Sequence, residues 1–163
     1  MAAAVGLMSL PAWASGWNKS TVAAGTPALT SSQEALLAEI VETIIPATDT
    51  PGAKELGVHQ FVQKMVADCF EKKVQEGFTA GLNQVEETAK KNGAASFAAL
   101  DKAGRTELLK GLEAGGGEGK EFYGLVKGLT IRGYMTSEYV MTNLTHYEMM
   151  PGRYHGCVPV PPK

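Results

Sequence analysis

Strand-forming sequence is scarce in these 163 residues: no long run alternates Val, Ile, Thr and aromatics with polar residues, which argues against a sheet-built fold. Aromatics are 7% of the chain, and cysteine occurs only as Cys69 and Cys157. Two cysteines so far apart share no metal-type spacing, so a zinc module of the CxxC kind is excluded. Positive charge is also short. The 15 basic residues are outweighed by 17 acidic ones, and the longest basic clusters are the pairs Lys72-Lys73 and Lys90-Lys91. A nucleic-acid binder needs a basic stripe, and none is here. No apolar run reaches the roughly 20 residues that a transmembrane helix requires. There is no internal repeat at a fixed period.

What remains is a hydrophobic content of 44%, ordinary for a globular domain. The start, MAAAVGLMSLPAWA, joins a small and apolar run to the small-x-small pattern Ala12-Trp13-Ala14. Residues 1–14 therefore read as the remnant of an export signal cleaved after Ala14, although no Lys or Arg precedes Lys19 to supply its charged start. Residues 15–29 are mostly Gly, Ser, Thr, Ala and Pro in low-information order, an extended leader expected to lie on a partner.

Residues 30–144 carry helical periodicity. Ser31 is expected as an N-cap with Glu34 closing a capping box, and Leu36, Leu37, Ile40, Val41, Ile44 and Ile45 follow on one face until Pro46. PATDTPGAKELG, residues 46–57, is a loop. A second helix is expected from Val58 to about Glu76, with Phe61, Val62, Met65, Val66, Cys69 and Phe70 on its apolar face and Cys69 in the core. A break near Gly77 precedes a third helix, which stops at Asn92-Gly93. A short turn packs through Phe97 and Leu100. Asp101 caps a fourth helix, Gly115 to Gly117 end it, a fifth runs from about Lys120 to Arg132, and Ser137 caps a last one to Leu144. The fold expected is all-α: an irregular bundle of five or six helices, with an extended N-terminal leader and a non-helical C-terminal tail over residues 145–163.

Chemistry-bearing motifs are missing. There is no GxxxxGK[ST], no GxGxxG, no GxSxG, no HExxH and no CxxC. A metal set from His146, Glu148, His155 and Cys157 is imaginable, but Pro151 and Gly152 interrupt it without a recognised ligand spacing. Glu118 and Glu121, three apart, suit the first turn of a helix, where the dipole favours negative charge. On residues alone, three readings stay open: an accessory subunit, a helical ligand-binding module, and a metal-dependent enzyme using the tail His and Glu residues.

Two segments are more specific. One is Ile44-Ile45-Pro46-Ala47-Thr48-Asp49-Thr50-Pro51-Gly52-Ala53. The other is Gly133-Tyr134-Met135-Thr136-Ser137-Glu138, followed by Tyr147-Glu148-Met149-Met150-Pro151-Gly152-Arg153-Tyr154-His155-Gly156-Cys157-Val158-Pro159. Together they resemble the gluconate 2-dehydrogenase subunit 3 family over roughly residues 30–160. The resemblance implies a non-catalytic small subunit without a cofactor, metal or catalytic residue of its own. Its implied partner is a flavoprotein of the glucose–methanol–choline class that holds FAD and oxidises a sugar or sugar acid, with a cytochrome c as electron acceptor. Within that group a glucoside 3-dehydrogenase is the type of partner expected. The resemblance also implies a twin-arginine signal on the small subunit and joint export to the periplasm, yet no twin arginine precedes the apolar run. Partner contacts are expected from Tyr134, Tyr147, Met149, Met150, Pro151, Tyr154, His155 and Cys157. Cys157 is also the candidate for a disulfide, within the chain or across the interface. Pro46, Thr48, Asp49, Pro51 and Gly52 are expected to shape the loop, Thr48, Asp49 and Thr50 through side-chain to backbone hydrogen bonds.

Overall fold

The structure, a computed structural model, describes Trp17, residues 29–150 and Gly152. Among the described residues, five α-helices make the bundle: α1 Ser31–Ile44, α2 Val58–Cys69, α3 Lys72–Lys91, α4 Lys102–Ala114 and α5 Glu118–Met135. A 3₁₀ turn, Phe97–Ala99, lies between α3 and α4, and a π-helical turn, Val140–Leu144, follows α5. Among the described residues there is no strand; an isolated parallel bridge joins Trp17 to Ser137.

The centre is α5, which packs against all four other helices. Its buried residues, Gly119, Phe122, Tyr123, Val126, Leu129, Thr130, Gly133 and Tyr134, recur at spacings of three and four, so one continuous stripe of this helix faces inward. Phe122 meets Phe78 of α3 at 5.6 Å between ring centroids. Its ring also fills the space where Gly81 would carry a Cβ, which lets α3 and α5 approach closely. From α1, Leu37, Ile40 and Val41 are fully buried, each stabilising the fold by about 1.5–3 kcal/mol.

Besides α5, which runs from Glu118 to Met135 rather than from Lys120 to Arg132, helix ends differ from expectation in two places. The first capping box sits one residue earlier than Ser31. Thr30 is the N-cap: its hydroxyl accepts from the Gln33 amide, and the Gln33 side chain accepts from the Thr30 amide at 3.1 Å. Glu34 instead faces the buried His59 at 3.9 Å. The second difference is the break after α2, which falls at Phe70-Glu71 rather than Gly77. The Gln75 side-chain amide donates to the carbonyls of Ala67 and Phe70, at 3.1 and 2.8 Å, and so satisfies acceptors that a helix end leaves open. Gly77 lies within α3 at an open, exposed position, where a single glycine costs only about 1 kcal/mol.

Cys69 is not a core residue. It is the last residue of α2 and is exposed, because the buried face of that helix, Val58, Val62 and Val66, ends before it. The ends at Gly93 and Asp101 are as expected. Gly93 has φ 84°, and the amides of Gly93 and Ala94 return to the carbonyls of Lys90 and Ala89, the pattern that closes a helix with a left-handed residue. Asp101 accepts from the Gly104 amide at 2.9 Å and starts α4. Phe97 is fully buried under Arg105.

Candidate functional site

Three neighbouring features emerge around the two specific segments. The first is the loop between α1 and α2, which is closed from both sides. The Glu42 carboxylate, reaching out of α1, accepts from the Ala47 amide at 3.0 Å and the Lys54 amide at 2.9 Å. It occupies the position a Cβ on Gly52 would need, which explains a glycine there. From the other side, the Tyr134 hydroxyl donates to the Pro51 carbonyl at 3.0 Å and reaches the Thr50 hydroxyl at 3.3 Å. Ala53, fully buried, bonds back to Ile45 and forward to Val58. Thr48 and Asp49 bond to each other at 2.9 Å. The side-chain to backbone bonds that shape the loop therefore come from Glu42 and Tyr134, not from Thr48 and Asp49. Pro46 is exposed and Pro51 half-buried.

Electrostatics fasten the same loop to the bundle. Glu39 of α1 pairs with Lys54 at 2.5 Å and with Arg105 of α4 at 2.6 Å. The hydrogen bond from Lys54 holds the Glu39 carboxyl below its ordinary range; partial burial opposes this, and the charges of Lys54 and Arg105 reinforce it. Arg105 also donates to the carbonyls of Leu100 and Ala98, so one carboxylate joins α1, the loop and the turn before α4.

The second feature is the seat of Trp17 against α2 and the end of α5. Its ring stacks on Phe61 at 5.0 Å, and its indole N–H donates to the Gly133 carbonyl at 3.0 Å. This leader residue lies on the chain's own bundle.

The third feature is the start of the tail. The Thr145 amide returns to Val140 and the Tyr147 amide to Met141, around His146 at φ 47°. Around and beyond this turn, apolar side chains face solvent: Leu144, Tyr147, Met149 and Met150 are 47%, 56%, 54% and 87% exposed. On α5, Ile131 and Met135, one turn apart, are exposed as well. Two further grooves, each of about 570 Å³, lie along α2–α3 and α1–α3.

Of the residues expected at a partner surface, Tyr147, Met149 and Met150 are exposed. Tyr134 is not: it is 8% exposed and serves the loop internally. Pro151, Tyr154, His155 and Cys157 lie outside the described residues, as do residues 1–14. His146 and Glu148 are exposed, and among the described residues no group of three or more His, Cys, Asp or Glu side chains is placed to hold a metal ion. No described helix is long and apolar enough to cross a membrane.

The family model for gluconate 2-dehydrogenase subunit 3 matches residues 31–152, from the first residue of α1 to the tail. The chain belongs to this family. No match was found among curated proteins or among solved structures. The gluconate 2-dehydrogenase subunit 3 match takes in the clamped loop, the end of α5 and the exposed apolar turn together, so all but Trp17 of the three features fall within the family's region.

Sequence reasoning missed Glu42, Trp17, Ile131 and Met135. Glu42 had no local signal, since its role depends on a glycine ten residues away. Trp17 was a lone large aromatic in a small-residue leader, and that contrast was a usable signal. Ile131 and Met135 were visible as an i, i+4 apolar pair out of phase with the buried stripe.

Proposed function

We propose that this chain is the non-catalytic small subunit of an FAD-dependent dehydrogenase acting on CH–OH groups of sugars, of the glucoside 3-dehydrogenase type. It binds and stabilises a catalytic flavoprotein of the glucose–methanol–choline class and is exported with it to the periplasm. FAD resides in the partner, which performs the hydride chemistry, and a cytochrome c accepts the electrons. The observation that carries this reading is membership of a dehydrogenase-subunit family over residues 31–152.

Physical support comes from the tail. Met and Tyr are enriched in the cores of protein interfaces, and here Tyr147, Met149 and Met150 follow the π-helical turn with most of their surface exposed. A permanent complex commonly buries more than about 2,000 Å². A helical body with an apolar tail can supply its share.

The test is purification of the tagged chain from its native host, followed by size-exclusion chromatography, mass spectrometry and absorbance. The expected result is co-elution with a larger, flavin-containing polypeptide that oxidises a sugar and reduces an artificial acceptor. A lone monomer that turns over a substrate unaided would overturn the proposal.

A further inference from the structure

Trp17 does more than rest on the bundle. The last four carbonyls of a helix and the first amides of the next have no partner within their own helix. At the end of α5, the Arg132 carbonyl accepts from Thr136, and the Tyr134 carbonyl accepts from the amide and hydroxyl of Ser137. The Gly133 carbonyl between them is taken by the Trp17 indole N–H, which also reaches the Thr136 hydroxyl at 3.2 Å. On its other side, the Trp17 carbonyl accepts from the Glu138 amide at 2.9 Å. Glu138 opens the segment that becomes the π-helical turn. One leader residue therefore caps the end of α5 and the start of the turn after it.

The seat is built for this contact. A Cβ at Gly133 would stand 2.6 Å from Phe61, so glycine is what allows the Phe61 ring to lie close over α5 as the platform on which the indole stacks. From Ser137 the bonds continue without interruption: Met141 to Ser137, Thr145 to Val140 and Tyr147 to Met141, at 3.0, 2.9 and 2.8 Å. Tyr147 is where the exposed apolar tail begins.

We infer that Trp17 is a pin by which the N-terminal leader sets the geometry of the C-terminal tail, so that the tail presents its apolar side chains to a protein partner only when the leader is seated. The role of the tail in docking rests on the proposed function; the coupling between Trp17 and the tail does not. Trp17 is a positioning residue, acting through the Thr136–Glu138 turn. Because the seat and the tail turn share one bonded path, their opening is cooperative.

The experiment is hydrogen exchange, resolved by residue, on the full chain with Trp17→Ala. The amides of Met141, Thr145 and Tyr147 are expected to exchange about tenfold faster, while those of α3 and α4 keep their protection. Trp17→Phe, which keeps a ring for stacking but removes the indole N–H, serves if the alanine variant fails to fold; about threefold faster exchange at the same amides is expected. Unchanged protection of Met141, Thr145 and Tyr147 in a folded variant overturns the coupling. Affinity for the co-purified flavoprotein supplies a second arm. A fall that parallels the exchange supports the whole inference. Faster exchange with unchanged affinity upholds the pin and overturns the tail as the docking element.

Discussion

The loop between α1 and α2 and the segment after the π-helical turn are alike in composition and opposite in state. Both are irregular, and both mix threonine, an acidic residue, proline and glycine. In the loop, the polar groups turn back on the protein: Glu42 takes two amides, Tyr134 takes a carbonyl, and Ala53 is fully buried. In the tail, two amides return to the π-helical turn, and the large side chains Tyr147, Met149 and Met150 remain in water. Composition alone does not separate a closed loop from an exposed segment. The separation lies in whether neighbouring elements supply partners for the backbone and cover for the apolar atoms.

The sharpest way to break this comparison is to change the tail and ask only about binding. Tyr147→Ala combined with Met150→Ala is expected to weaken association with the proposed flavoprotein partner by on the order of 100-fold, the scale of an interface anchor. Thermal unfolding of the isolated chain should shift by less than about 0.5 kcal/mol, since neither side chain is buried. A large loss of stability would place the tail in the same class as the loop.

The loop should respond in the opposite way. Gly52→Ala forces a Cβ into the Glu42 carboxylate, and either the carboxylate leaves its two amides or the loop moves. A loss of about 2 kcal/mol in urea-monitored stability is expected. The same substitution made on a Glu42→Ala background should cost clearly less, because the clash is then gone. Equal costs in both backgrounds would show that Glu42 does not set the loop.

The smallest effect is electrostatic. The folded-state pKa of Glu39 is lowered, chiefly by its hydrogen bond from Lys54. Its stabilising contribution is therefore fully present above the unfolded value, and it is lost as pH falls through the folded one. Chemical denaturation of the parent and of Glu39→Gln should differ most at neutral pH and converge in strong acid. A gap that persists at low pH would remove the ion pair from the account of how the loop is held.

Most of the bundle was legible because a helix buries a face at a period set by its own geometry. The stripes on α1, α3 and α5, the Asp101 cap and the Gly93 stop all follow from residues within a few positions of one another. The misplaced features were competitions between local options. Thr30 and Ser31 are equally good caps on paper, and Glu34 was drawn toward His59 instead. Gly77 looked like the obvious breaker after α2, but Gln75 capping Ala67 and Phe70 moved the break back to Phe70-Glu71. Cys69 fitted an apolar pattern whose packed part stopped one turn earlier.

The candidate site was legible as segments but not as an arrangement. The loop motif and the tail motif could be named, and their residues pointed to a family whose model spans both. Tyr134 shows where such reading stops. Adjacent to the tail motif in the chain, it belongs physically to the loop, bonded to a carbonyl 83 residues away. The sequence by itself determined that this chain would be helical, where most helices would lie and which family it joins, because those properties depend on short-range periodicity and on recognisable local strings. Only the tertiary structure decided that Glu42 and Tyr134 close the loop and that Trp17 caps α5 from 116 residues away. A hydrogen bond of that kind leaves no periodic trace along the chain; it exists only once packing has brought its two ends together.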